Sequence, residues 1–525
     1  MKHQAISLES AKPSAAEGPT VHGQMNPEVV VVDPDEKIFG ENAPEGDTKD
    51  PMDTVPISSL EDLDEAIMKK IDKAESLDDW LEIRSQLKVE RSNENVRKVT
   101  LYVKDRLDKL PEGERRQWAR NVVTALYRDI LPESLIDLLV GQFFPGDSGV
   151  DVDARPDWLD LDKFRRGQKF AVKYLSSICY ADFLSLVVVF SFQDALKPLV
   201  VTGASSTPYA AFNRYYSTAE RVRNWYLSDP WTPGTSAYND VRAVRKMHAC
   251  VRKRLQSMSP EELAERSRIR HPWCPSLDLL KEDFQSTCPA PAPGQCPYEA
   301  LTEYPELKFN NHLNQGEMAA TQFAFVGLVV TYPKFFGVHG ATDDDIEAFC
   351  HAWRGIGYLL GVDDEYNYCR GTLGDVRLRT TNLLEHWVKP NLRDVNAEWE
   401  HMMRCAVEGL QYYFPGSTYE LYITDLARLL NLHLPRYWGA MPYVERMRCS
   451  ATRFYFEQCC KVAAFRGVLN YRLKQSTEKA KTYGEAKRNE LEQRSARTLE
   501  AYRLKLKQNN GMEKCPQLDH MITRI

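Results

Sequence analysis

The chain has 525 residues, of which 43% are hydrophobic, 27% charged and 10% aromatic. This composition is typical of a globular protein with a large core, and it excludes a chain that is disordered throughout. The net charge of −6 lacks the basic excess of nucleic-acid-binding proteins, so no nucleic-acid partner is expected. The twelve cysteines include no Cys-x-x-Cys pair, which favours reduced thiols over a disulfide framework or a zinc site.

The N-terminal segment, residues 1–57, holds eleven acidic residues against four basic ones, together with seven prolines. This pattern predicts a disordered acidic tail. Its first residues lack the apolar core of a signal peptide and the arginine-rich character of a transit peptide. The longest apolar stretches of the chain, Leu184–Phe190 and Phe323–Val330, are too short to span a membrane. We therefore expect a cytoplasmic protein without a transmembrane segment, and peripheral contact with a membrane is left open.

Residues 58–150 carry a helical pattern. Apolar residues three and four positions apart predict helices at Leu77–Leu87, Asn95–Leu110 and Glu112–Leu139. The stretch Pro145–Pro156 is rich in glycine, proline and aspartate, which is typical of a loop and marks the end of this N-terminal helical region.

Residues 155–470 are expected to form the main domain. Val172–Phe192 and Met318–Tyr332 are apolar on nearly every face, which is typical of helices inside a core. Residues 257–305 read as a proline-rich insertion, and residues 471–525 as a charged helical tail. Strand signals are sparse throughout, so the predicted fold class is all-α.

One basic helix, Val241–Leu255, places a histidine on its apolar face. Val244, His248 and Val251 share that face, while Arg245 and other cations flank it. An imidazole on an apolar face suits the iron of a porphyrin, and neighbouring cations suit its propionates. His248 is therefore a candidate iron ligand and Arg245 a candidate cofactor-binding residue. The alternative is a hydrogen-bonded core histidine with a solvated basic edge.

A second candidate pair lies in the aromatic segment Ala210–Val222. Arg214 and Thr218 are four residues apart and share one helical face. Such a pair could hold an oxygen-derived species or a water above a metal. The alternative is an arginine that packs between helices and a threonine that bonds to the carbonyl one turn earlier.

Three further motifs have competing interpretations. Gln322 in its apolar helix either lines a pocket or bonds to neighbouring backbone within the core. Gly355, Gly357 and Gly361 follow no predicted strand, so they favour close helix packing over a dinucleotide-binding turn. The acidic run Asp363–Glu365 either binds a cation or supplies capping carboxylates at a helix end.

The order and spacing of these motifs resemble the rubber oxygenase (latex-clearing protein) and MpaB family over about residues 155–470. The resemblance rests on Trp158–Gln168, the Arg-x-x-x-Thr pair Arg214–Thr218, His248, Met318–Phe323 and Trp353–Asn367, in that order.

The resemblance implies an all-α, globin-like core that binds haem b and uses dioxygen as co-substrate. In the family the corresponding histidine is the proximal iron ligand, which falls on His248, and Arg214 and Thr218 would lie at the haem edge. The family reaction is oxidative cleavage of a carbon–carbon double bond in a long isoprenoid.

The chain departs from the rubber-cleaving members at two positions. Those members have a glutamate upstream of the arginine, whereas here only Gln193 and Asp194 are candidates between Phe190 and Arg214. Their lysine before the threonine is Ser217 here. We therefore expect a haem-dependent oxygenase acting on a smaller lipid or isoprenoid. The alternatives are a non-catalytic helical interaction protein that kept the fold, and a haem carrier or sensor.

Overall fold

The computed structural model describes residues 70, 73–87, 106–128, 131–290 and 312–512. All regular secondary structure within these ranges is helical, which confirms the predicted all-α fold. The predictions for residues 1–57 and for the ends of the insertion and the tail lie outside the described residues, and the proposed domain boundaries stay predictions.

The principal helices are α1 (Leu77–Leu87), α2 (Glu112–Tyr127), α3 (Glu133–Val140), α4 (Leu161–Lys173), α5 (Leu175–Phe190), α6 (Gln193–Val201), α7 (Pro208–Leu227), α8 (Ser236–Gln256), α9 (Pro260–Arg266), α10 (Leu277–Thr287), α11 (Gln315–Thr331), α12 (Asp343–Leu359), α13 (Leu373–Leu383), α14 (Lys389–Leu392), α15 (Ala397–Gln411), α16 (Tyr419–Leu429), α17 (Pro435–Ala440), α18 (Tyr443–Glu457), α19 (Ala463–Lys481) and α20 (Glu485–Met512). A π-helical turn, Leu384–Val388, joins α13 to α14.

Two long apolar helices, α5 and α11, pack along each other at the centre of the protein. Around them, α7 packs along α15 and α8, and α4 packs along α12. The α4–α12 contact is especially close, because a Cβ atom added at Gly167 would lie 2.1 Å from the carbonyl oxygen of Ala348. In the described part of the chain no single helix has the length and apolar composition to cross a membrane, although α4 and α5, bent by 86°, meet those criteria as a pair.

Side-chain caps determine where helices α7, α8 and α11 begin. The Oγ1 atoms of Thr207 and Thr235 each accept a hydrogen bond, at 3.1 Å, from a backbone N–H in the first turn of α7 and α8 respectively. Asn314 does the same for α11, at 2.9 Å. These caps satisfy N–H groups that have no partner within the helix. The position of each capping Thr or Asn in the sequence therefore determines where its helix begins.

Two predicted helices are wrong in their extent. The pattern at Glu112–Leu139 forms two helices, because Pro132 has an extended conformation (ψ 143°) and cannot continue a helix in this position. The apolar run Val172–Phe192 is also interrupted. Its break lies at Tyr174, whose φ of −114° and ψ of 26° end α4 and whose hydroxyl donates to the carbonyl oxygen of His339 at 2.7 Å. That second break therefore coincides with a tertiary contact.

The predicted insertion contains α9 and α10 and is attached to the core by polar side chains of α15. The Glu400 carboxylate accepts the N–H of Ser276 at 3.0 Å, and Arg404 donates to the Ser276 hydroxyl at 2.9 Å. His401 is buried beside them. Its Nδ1 accepts the N–H of Trp273 at 2.8 Å, so Nε2 carries the proton and donates to the carbonyl oxygen of Ser206 at 2.8 Å.

This arrangement predicts an acid-sensitive stability. Burial lowers the pKa of His401 below its ordinary 6.5, so the unfolded chain binds the proton more readily than the folded protein. The stabilising contribution is therefore complete above pH 6.5 and is lost as the pH falls below that value. We expect the free energy of unfolding, measured by urea titration, to decline less steeply on acidification in His401→Gln than in the wild type. The exposed His433, changed to Gln, is the control; an unchanged slope in His401→Gln would contradict the assignment.

The charged tail continues to Met512 as α19 and α20, and part of it packs on α7. The Tyr216 hydroxyl donates to the carbonyl oxygen of Thr477 at 3.3 Å, and the Ser495 hydroxyl accepts the N–H of Tyr209 at 3.1 Å. Most other tail side chains are exposed. The tail is thus a solvated helical segment with one buried edge.

Candidate functional site

The candidate residues lie on a helical hairpin formed by α7 and α8. Eight residues join the two packed helices. Arg214 lies 13 residues before the end of α7, and His248 lies 12 residues after the start of α8. In two packed helices joined by a short connection, such nearly equal offsets place two residues at a similar level, and the positive charge of Arg214 contributes to the lowered pKa of His248. The fold therefore brings Arg214 and His248 together, as the sequence motif requires.

His248 is the most unusual group of this site. Its Nδ1 atom is buried and has no hydrogen-bond partner among the described residues, although the residue as a whole is half-buried. Burial, followed by the charges of Arg252 and Arg214, lowers its pKa to about 4, against an opposing effect of Asp147. The imidazole is therefore neutral at physiological pH. Nδ1 therefore lacks the hydrogen bond that the alternative interpretation, a hydrogen-bonded core histidine, predicts, and the role of His248 stays a prediction.

Arg245 lies one turn before His248 and is held by Asp147. Its Nε donates to Oδ2 at 2.9 Å and its Nη2 to Oδ1 at 2.5 Å, so the ion pair is bidentate. Its third nitrogen, Nη1, is buried without a hydrogen-bond partner in the described residues. The loop that carries Asp147 approaches closely because Gly146 has no side chain: a Cβ atom there would overlap the carbonyl oxygen of Leu313.

Arg214 is fixed by a buried hydroxyl. Its Nη1 donates to Oγ of Ser205 at 3.1 Å, and Ser205 has no exposed surface. Thr218 follows one turn later on α7 and is half-buried. Both predicted catalytic residues therefore lie on the hairpin that carries His248, and their predicted roles stay predictions.

A narrow apolar recess lies next to this polar cluster. Arg252, one turn beyond His248, donates to the carbonyl oxygen of Leu313 at 3.2 Å and interacts electrostatically with Glu317. Glu317 lines the recess together with residues of α5, α6, α11 and α13, among them Val189 and Thr321. The recess has a volume of only about 20 Å³. A molecule larger than a water therefore needs side-chain movement to enter it.

The remaining motifs have structural roles. Gln322 donates to the carbonyl oxygen of Trp353 and accepts from the N–H of Tyr368, both at 3.0 Å, which confirms backbone satisfaction within the core. Gly357 makes room for that amide. Asp364 forms a bidentate ion pair with Arg354. Within the described ranges no group of three or more histidine, cysteine, aspartate or glutamate side chains could hold a metal ion.

Sequence reasoning missed two residues of this cluster, Asp147 and Ser205, and counted a third, Arg252, only among the cations that flank His248. Asp147 lies in a glycine- and proline-rich loop, where aspartate usually indicates only a turn. Arg252 lies among several cations of α8, of which it is the buried one. Ser205 precedes the cap of α7 and carries no signal of its own. For Arg252 a signal was present, because it falls one turn after His248 on the same face.

No protein-family model matches the chain, and no curated protein matches it either. Among solved structures, the chain is similar to latex clearing protein in its closed state, with a TM-score of 0.38 and 17% identity. The alignment covers 68% of this chain and 88% of that chain.

Proposed function

We propose that the protein is a haem-b-dependent oxygenase that acts on an apolar small molecule, a lipid or isoprenoid, by oxidative attack on a carbon–carbon double bond. The observation that carries the proposal is the environment of His248: a neutral imidazole whose buried Nδ1 has no hydrogen-bond partner in the described chain. A buried polar nitrogen without a hydrogen-bond partner lowers the stability of the folded protein, so its presence needs a reason. Ligation of a metal by the ring is one such reason.

The surrounding residues fit haem. His248 would ligate the iron, while Arg245, whose Nη1 is buried and has no hydrogen-bond partner among the described residues, would pair with a propionate. When bound, haem supplies an iron centre that activates dioxygen. The motif order Arg214, Thr218 and His248, which resembles the MpaB and rubber oxygenase pattern, supports the same assignment.

The residues of this chain contribute position and environment. Ser205 holds Arg214 beside His248, and Asp147 orients Arg245 through two hydrogen bonds. Burial, followed by the charges of Arg252 and Arg214, keeps the imidazole neutral, so one ring nitrogen retains a lone pair for ligation. The apolar faces of α5 and α11 would hold the substrate away from water.

The test combines spectroscopy with product analysis. We expect hemin added to the purified full chain to give a saturable Soret band at one haem per chain. Incubation with squalene under isotopically labelled dioxygen is then expected to yield carbonyl products that contain the label. A Soret band without labelled products would contradict the oxygenase and favour a haem carrier or sensor. The absence of any Soret band would contradict haem binding and favour the non-catalytic helical protein.

A further inference from the structure

The apolar helix α5 contains one carboxyl group, Asp182, which the proposed haem site does not use. Its Oδ1 atom is buried and has no hydrogen-bond partner among the described residues. Burial raises the pKa of Asp182 well above its ordinary value, so the group is a neutral carboxylic acid in the folded protein. A neutral acid is both a hydrogen-bond donor and an acceptor.

Asp182 lies on a stripe of α5 whose side chains are incompletely covered. Cys179, Asp182, Phe183, Leu186 and Val189 share one helical face, and all five keep some accessible surface although they lie in the core of the protein. Accessible surface on deeply enclosed side chains indicates room between the helices. One end of the stripe, at Val189, opens into the recess beside Glu317.

The opposite wall of this space is α7, the helix that carries Arg214 and Thr218. The rings of Phe183 and Tyr215 face each other with centroids 5.8 Å apart, although the backbones of α5 and α7 do not pack closely. Burial, followed by the Asp182 carboxyl, raises the pKa of Tyr226 on the same helix. The Asp182 side chain therefore lies on the α7 side of α5.

The chemistry of the walls limits what the space can bind. Its lining is apolar and aromatic, and the Tyr226 hydroxyl already accepts a hydrogen bond from Nε1 of Trp353 at 3.1 Å. An anionic group placed against Asp182 would meet no cation on the α5 stripe, and an ammonium group would have to lose its hydration along apolar walls to reach the carboxyl group. A hydroxyl or carbonyl oxygen would instead satisfy the Asp182 carboxyl, because one such contact removes the penalty of an unpaired buried group.

We propose that Asp182 is the polar anchor of an internal binding site for a neutral, mostly apolar molecule that carries one hydroxyl or carbonyl oxygen, such as a long-chain alcohol or ketone. This inference rests on the proposed function and deepens it, since it names the polar part of the apolar molecule that the protein binds.

The test compares 1-decanol with 1-chlorodecane, which share the same alkyl chain, by isothermal titration calorimetry on the full chain. We expect the wild type to bind decanol about tenfold more tightly than chlorodecane. Asp182→Leu should abolish this preference by weakening decanol about tenfold without weakening chlorodecane. Asp182→Asn, which keeps hydrogen-bonding groups, should stay within about threefold of the wild type for decanol. Ser185→Ala, which removes another buried and unpaired polar atom from α5, is the matched control and should keep the preference.

Three results would overturn the proposal. They are equal affinities of the wild type for the two ligands, no measurable binding of decanol, and a loss of the decanol preference in Ser185→Ala as well. Circular dichroism of each variant separates loss of binding from loss of fold. The Soret band reports haem separately. If the protein prefers decanol but gives no Soret band, Asp182 remains the anchor and the oxygenase is rejected. If it gives a Soret band but does not prefer decanol, the haem site is retained and the anchor is rejected.

Discussion

Replacing His248 with alanine is expected to abolish the Soret band of the hemin-treated protein while leaving a folded helical chain. The ligand nitrogen is lost, and the arginines around it cannot replace it because a guanidinium has no free lone pair. Folding is affected less, because Nδ1 has no hydrogen bond to lose among the described residues. We expect the free energy of unfolding of the haem-free protein to fall by about 1–3 kcal/mol, measured by urea titration.

Two controls make this result specific. The exposed His433, changed to alanine, should leave the band and its hemin titration unchanged. Added imidazole should restore part of the band in His248→Ala, because the missing side chain leaves a cavity of matching shape. A His248→Ala variant that binds haem with an unaltered spectrum would remove His248 as the ligand.

A large loss of stability is expected from Gly167→Ala, because Gly167 lies in α4 at its close contact with α12. The new methyl group would lie 2.1 Å from the carbonyl oxygen of Ala348 and 2.8 Å from Cβ of Ala352. The first atom is backbone, so the two helices must separate. We expect a decrease of about 3 kcal/mol in the free energy of unfolding, seen as a lower urea midpoint.

Gly467 supplies the matched comparison. It is also inside a helix, α19, but it is exposed and a Cβ atom there meets nothing within 4 Å. Alanine favours helix at both positions, so Gly467→Ala should raise stability by about 0.5–1 kcal/mol. If both variants shifted the urea midpoint in the same direction, the close contact between α4 and α12 would be refuted.

Local patterns were enough to predict much of the fold. The apolar spacing predicted α1 with its observed ends, and the apolar run that begins at Met318 predicted most of α11. Prediction was wrong where one residue overrides a periodic pattern. Pro132 splits α2 from α3, and Tyr174 separates α4 from α5 where its hydroxyl reaches a residue 165 positions away.

The candidate site shows the same limit. His248 and Arg214 could be selected from sequence because both lie on helical faces with a recognisable spacing. Asp147 could not, because its role depends on a loop that comes from 98 residues earlier to bind Arg245. Asp182 was within reach: a lone carboxylate in an otherwise apolar helix is a signal by itself, and it was overlooked.

The packing of the charged tail on α7 bears on how the protein folds during synthesis. Tyr209 and Ser495, which share a hydrogen bond, are 286 residues apart, and Tyr216 and Thr477 are 261 apart. The outer face of α7 is therefore covered only after the residues 261 and 286 positions further along the chain have left the ribosome. Contacts between such distant residues slow folding, and until they form the aromatic face of α7 is available to chaperones and to other nascent chains.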